Sequence, residues 1–178
     1  MSGMPIPGCF RLFCSAPSPF NFLIFQSAPV AKDFFTDVQK EQIVEAIRRA
    51  ETHTSGEIKV HVELRCPLPD VMERAKDVFG QLELHRTKQQ NGVLFYLSLE
   101  DRKFALLGDQ GIDAVVPNGF WQNTKEAMRG LFGRGELAEG LCRGVEMAGE
   151  QLKSHFPRNP DDTNELSNDL SFGNQPPQ

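Results

Sequence analysis

The sequence predicts an α/β domain over residues 32–157: a small mixed sheet flanked by helices in three layers, with elements in the order α-β-α-β-β-α-α. Three observations carry that expectation. Residues Glu57 to Leu64 alternate strictly, with Ile58, Val60, Val62 and Leu64 on one face, which is the two-residue period of a strand. Helical periodicities flank this segment on both sides. A near-continuous apolar run from Val93 to Leu99 resumes after Glu100-Asp101-Arg102 as Lys103 to Leu107, a link so short that the two strands must form an antiparallel hairpin.

In chain order, the first helix is announced by Thr36-Asp37-Val38-Gln39, a capping-box pattern, and carries Ile43, Ala46, Ile47 and Ala50 on one face. It ends near Thr54-Ser55-Gly56. The alternating strand that follows has one wetter face, on which His61 and Glu63 read as ordinary solvated side chains rather than an acid–base pair. Pro67 to Pro69 break the strand, and Val71, Ala75, Val78, Phe79 and Leu82 then mark an amphipathic helix. The run from Val93 to Leu99 is apolar on both faces and reads as the central strand. Two helices close the domain, around Phe120 to Phe132 and Glu136 to His155. Gly140 and Gly144, on the second of these, admit a neighbouring helix at short distance.

This order has a consequence for function. The first two strands are joined through a helix and so run parallel by a right-handed crossover, while the third runs back. The N-terminal ends of strands one and two and the C-terminal end of strand three therefore share one sheet edge, which gathers Glu57, Asn91, Asp109 and Asp113. With Leu99 opposite Lys103, Val93 stands opposite Asp109, and such directly opposed residues have Cβ atoms about 4.5–5.5 Å apart. The acidic loop Gly108-Asp109-Gln110-Gly111-Ile112-Asp113 thus becomes the centre of the candidate site.

Carboxylates and amide oxygens are the ligands that hard divalent cations take. Glu57, Asn91, Asp109 and Asp113 are therefore the candidate metal ligands, with Ca2+ the expected ion and Mg2+ the alternative. Four side chains leave calcium to complete its shell with water, so the affinity should be weak, on the order of 10⁻⁴ M. The competing reading is purely local: Asp113 caps the turn after it, Asp109 holds a turn, and Asn91-Gly92 is turn chemistry. Trp121 reads as core or as a lid over the acidic edge.

Composition narrows the partners. A net charge of −5 leaves no broad cationic surface to neutralise phosphates, so nucleic acid is not an expected partner. The four cysteines, Cys9, Cys14, Cys66 and Cys142, lack zinc-site spacing, and Cys142 reads as a small buried hydrophobe. Residues 1–31 are rich in Pro, Ser and Phe, and are expected to be a disordered extension or a stretch upstream of a natural start near Val30. Their apolar run from Phe20 to Phe25 is interrupted by Asn21, well short of the ~20 residues of a membrane segment. Residues 158–178 form an acidic stretch expected to be a flexible tail, with Leu166, Leu170 and Phe172 touching the domain.

Four segments in order carry a family resemblance. Thr54-Ser55-Gly56-Glu57-Ile58, Asn91-Gly92-Val93-Leu94, Arg102 through Asp113, and Gly140-Leu141 resemble the TPM domain family over residues 32–157. The likeness is strongest to its short bacterial members. It implies acidic loops forming a groove at the sheet edge, with Asp109 and Asp113 matching the family's acidic loop and Glu57 and Asn91 as their partners. Family members are associated with acid phosphatase activity, calcium binding, photosystem repair and modulation of a membrane receptor, so the fold alone does not choose a role. The expectation is a cytoplasmic, calcium-binding regulatory or protein-interaction module with an unidentified protein partner. A metal-dependent phosphatase acting on phosphate monoesters is the alternative, with no catalytic residue assigned.

Overall fold

The fold is described here from a computed structural model, which places residues 30–159 and 166–173. Of the stretches read from sequence as an extension and a tail, residues 1–29, 160–165 and 174–178 lie outside the described residues.

Thr36 starts helix α1 (Asp37–Glu51) as the sequence predicts: its side chain accepts from the Gln39 amide, and the Gln39 side chain accepts from the Thr36 amide, closing a capping box. Strand β1 (Ile58–Glu63) follows. The chain then crosses over through helix α2 (Val71–Gln81), capped by Asp70, whose side chain accepts from the Met72 amide. Strands β2 (Val93–Ser98) and β3 (Lys103–Gly108) form the hairpin. A single turn, α3 (Gln110–Asp113), leads to α4 (Phe120–Gly133) and α5 (Leu137–His155). The last element is the two-residue strand β4 (Ser171–Phe172). Among the described residues, no helix is long and apolar enough to cross a membrane.

The sheet order is β3-β2-β1-β4. β1 runs parallel to both β2 and β4, and β3 is antiparallel to β2. Two layers of helix cover it. Ile58, Val60, Val62, Val93, Phe95 and Leu97 pack with α1, α4 and α5 into the main core. On the other face Leu94, Tyr96 and Ala105 meet Ala75, Val78 and Phe79 of α2. The close approach expected at Gly144 is realised, since a Cβ there would lie 2.6 Å from Met128 Sδ and 2.7 Å from Phe95 Cε1. A side chain at that position would have to displace the Met128 thioether and the Phe95 ring from the core.

Three features depart from the sequence reading. Ser98, not Leu99, stands opposite Lys103, because the hairpin turn takes in Leu99 and ends on Arg102 at φ 52°. This one-residue shift puts Gly108 opposite Val93 and Asp109 one step beyond, where its amide donates to Gly92 O at 2.9 Å. β1 has no wet face: all six of its residues are buried, Lys59, His61 and Glu63 included. The alternation does mark a strand, but its polar face is closed by α2 and by the tail. Finally, Ser171 and Phe172 enter the sheet beside β1 as a strand that no periodicity announces, although the sequence does predict that this stretch touches the domain, and Leu170 and Phe172 pack on the main core. Leu166 packs on the smaller core.

Candidate functional site

Backbone pairing builds the acidic edge. Crossover pairing joins Val93 N to Glu57 O at 2.8 Å, and the hairpin brings Asp109 to Gly92. Beyond the hairpin, the amides of Gly111 and Ile112 donate to Gln90 O at 2.8 and 3.2 Å, locking α3 onto the turn before β2. Only glycine fits at position 111, where a Cβ would meet the carbonyl oxygens of Gln89 and Gln90, the latter at 2.7 Å. The segments holding Glu57, Asn91 and Asp109 are thereby fixed side by side.

Their side chains are only partly satisfied. Asn91 is 1% exposed and donates its Nδ2 to Ser55 Oγ at 3.3 Å, yet its Oδ1 is buried without a hydrogen-bond donor. Asp109 is the N-cap of α3, with Oδ1 accepting from Gln110 N at 2.8 Å, while its Oδ2 is buried and likewise lacks a donor. Glu57, 4% exposed, brings a buried carboxylate to this edge beside the half-buried Asp109. Leaving a buried polar atom unpaired costs about 1–3 kcal/mol, so these acceptors are an expense that the fold retains. Asp113 stands apart in an exposed position, its Oδ1 accepting from Trp121 Nε1 at 2.9 Å. Trp121 in turn lies against Gly108, so it sits at this edge and orients Asp113. Among the described residues no three His, Cys, Asp or Glu side chains are arranged to hold a metal. The donor set is one buried carboxylate, Glu57, one half-buried carboxylate, Asp109, and an amide oxygen, all of the hard-oxygen type that suits calcium or magnesium.

The model of the TPM domain matches residues 30–151. The chain belongs to the TPM domain family. A similar solved structure is the BA42 protein from the psychrophilic bacterium Bizionia argentinensis, 46% identical, covering 79% of this chain and 96% of that one, with a TM-score of 0.73. The N-terminal domain of the cg2496 protein from Corynebacterium glutamicum shares the fold at 15% identity and TM-score 0.56, covering 79% of this chain and 87% of that one. The N-terminal domain of a P. gingivalis protein does so at 21% identity and TM-score 0.52, over 68% and 78% of the two chains. None of the curated proteins compared with the chain matches it.

A second polar cluster of this TPM domain lies on the α2 face of β1, where the alternation alone predicts a solvated pair. Glu63 accepts from Arg74 Nε at 3.2 Å and Arg74 Nη2 at 2.5 Å, and from Tyr96 Oη at 2.6 Å. His61 Nε2 lies 3.3 Å from Glu63 Oε1, and its Nδ1 lies 2.9 Å from Ser171 Oγ. Burial alone would raise the Glu63 carboxyl, but the hydrogen bonds from His61, Arg74 and Tyr96 outweigh it and hold the pKa at about 2. Burial, and then its bond to Glu63, pushes the Tyr96 hydroxyl well above its usual range. Three donors around one carboxylate make an internal tie. The signal in the sequence was the alternation of Lys59, His61 and Glu63 with a cation, Arg74, on the helix that covers them.

Glu51 is a third buried carboxylate, at the end of α1. Its Oε1 accepts from Ile58 N at 2.8 Å and its Oε2 from Asn168 Nδ2. Burial raises it to about 7, against the lowering effect of the Ile58 amide and with help from the charge of Glu57. Burial also pushes the Cys142 thiol up to about 11, in keeping with an inert cysteine.

Proposed function

We propose that this TPM domain binds a divalent cation, calcium first and magnesium as the alternative, at the edge formed by Glu57, Asn91 and Asp109. Asp113, oriented by Trp121, is the fourth candidate ligand. One observation carries the reading: Asn91 Oδ1 and Asp109 Oδ2 are buried acceptors without donors, beside a buried glutamate. A cation supplies the missing partner to each and offsets the repulsion between the carboxylates. A small ligand set built on loops means weak binding, on the order of 10⁻⁴ M. The ion would stiffen the turn before β2 and the α3 turn together, because both contribute ligands, and so alter the surface they present. That is the action of a regulatory or protein-interaction module.

Calorimetric titration of the full chain with calcium and with magnesium tests the reading. The expected result is a saturable heat with native protein and none with Asp109→Ala. Absence of binding at millimolar concentrations of both metals contradicts it. Hydrolysis of a generic phosphate ester, measured with and without metal, separates a module from an enzyme. Metal-dependent turnover that disappears in Asp109→Asn replaces the module by a phosphatase, whereas turnover that survives in that variant comes from elsewhere. The hairpin turn with Arg102 lies at the opposite end of the sheet from Asp109, so that cation cannot clamp a phosphate at this edge.

A further inference from the structure

The tail segment Asn168-Asp169-Leu170-Ser171-Phe172-Gly173 runs along the outer edge of β1, and position after position meets a group suited to it. Asn168 Nδ2 donates to Glu51 Oε2, and the Asp169 charge acts on Lys59. Leu170 and Phe172 pack on the main core. Ser171 Oγ lies 2.9 Å from His61 Nδ1, and the backbone pairs in parallel, His61 with Ser171 and Val62 with Phe172. Gly173 N donates to Val62 O at 3.0 Å, and a Cβ at this glycine would lie 2.5 Å from Glu63 Cγ and 2.7 Å from Glu63 Oε1. Glu63 cannot yield, since Arg74 and Tyr96 hold it.

The side chains that read the tail are buried members of the domain, with Glu51 and Lys59 at 7% exposure, His61 at 6% and Glu63 at 5%. Polar groups placed this deep need partners, and the tail supplies one each to Glu51 and His61. Backbone pairing gives affinity in strand addition, and side-chain pockets give sequence preference. We propose that the outer edge of β1 is a strand-docking groove that reads the pattern Asn-Asp-Leu-Ser-Phe-Gly. Residues 168–173 fill it in cis, and it accepts the same segment in trans. A tethered segment competes at an effective concentration of roughly millimolar, so the groove takes a second segment only when its own tail is displaced.

The test uses the full chain with the tail ejected by Gly173→Val, which collides with Glu63, or independently by Phe172→Asp, which cannot stay in the core. A fluorescein-labelled peptide with the sequence of residues 166–173 is titrated by polarisation. The expected result is saturable binding to both variants and at least tenfold weaker binding to the native chain. Peptides carrying alanine in place of Ser171 or Asn168 should bind several-fold more weakly than the parent. Folded variants that bind the peptide no better than a scrambled one overturn the proposal. Hydrogen exchange on the native chain gives a second readout that needs no variant. The Gly173 amide is expected to be protected, and exchange at the rate of an unstructured peptide overturns the docking itself.

Discussion

The two ends of β1 both bury polar groups, and they are completed in opposite ways. At its C-terminal end Glu63 collects donors from Arg74, Tyr96 and His61, and its pKa is held down at about 2. At its N-terminal end Asn91 Oδ1 and Asp109 Oδ2 are buried with no donor, next to Glu57. A carboxylate wrapped in donors is finished by the chain itself and serves the fold. Acceptors that the chain buries and leaves without donors are suited to a partner from outside, and a hard cation is the simplest one.

Stability measurements can break this contrast. Glu63→Ala leaves a part-buried guanidinium, a buried hydroxyl and a buried imidazole without their acceptor. It is expected to cost about 3–5 kcal/mol in urea unfolding. Asp109→Asn in metal-free buffer is expected to cost less than about 1 kcal/mol, because asparagine caps α3 equally well and one repulsive charge is gone. Equal losses in the two variants would erase the distinction.

The pH profile of stability sharpens it. The Glu51 carboxyl is raised in the folded state from 4.5 to about 7. Its contribution is therefore complete below about pH 4.5 and is lost as pH rises through 7, on the order of 3 kcal/mol. Glu63 is lowered from 4.5 to about 2. Its contribution is present above about pH 4.5 and is lost as pH falls through 2. Denaturation across pH 3–8 should show a maximum near pH 4.5–5 from these two groups, and Glu51→Gln should flatten the alkaline limb. An unchanged alkaline limb in that variant would remove Glu51 as its cause. Tyr96→Phe, which removes one of the donors to Glu63, is expected to cost about 2 kcal/mol by the same urea assay. The smallest effect concerns Asp113, whose Oδ1 is engaged by Trp121. In calcium titrations Asp113→Asn should weaken binding by about threefold, roughly 0.6 kcal/mol, and less than Asp109→Ala does.

Much of this architecture is legible in the sequence because it rests on local rules. The Thr36 capping box, the alternation in β1, the crossover and the hairpin each have a short-range signature, and together they bring Glu57, Asn91 and Asp109 to one edge. The hairpin register was off by one because the conformation of a turn is not written in hydrophobicity. Arg102, a residue with no obvious preference for positive φ, adopts it here. The Glu63 network was hidden for a different reason. Its charges signal solvent when read locally, and only contacts with Arg74 and Tyr96, 11 and 33 residues away, neutralise them. β4 was invisible because two residues in an Asp- and Asn-rich stretch have no period to detect, and their place depends on the groove that receives them. Trp121 as the partner of Asp113 follows from the path of the chain after α3, which no spacing rule gives.

The proposed role of the donorless acceptors at the acidic edge is to ligate a cation. Two-dimensional amide NMR of the full chain during calcium titration tests it most directly. Saturable shifts are expected, centred on Asn91, Gly92 and Asp109 to Gly111 and fitting a dissociation constant on the order of 10⁻⁴ M, with the Glu63 cluster unmoved. Unshifted amides at the acidic edge at millimolar calcium and millimolar magnesium would contradict it.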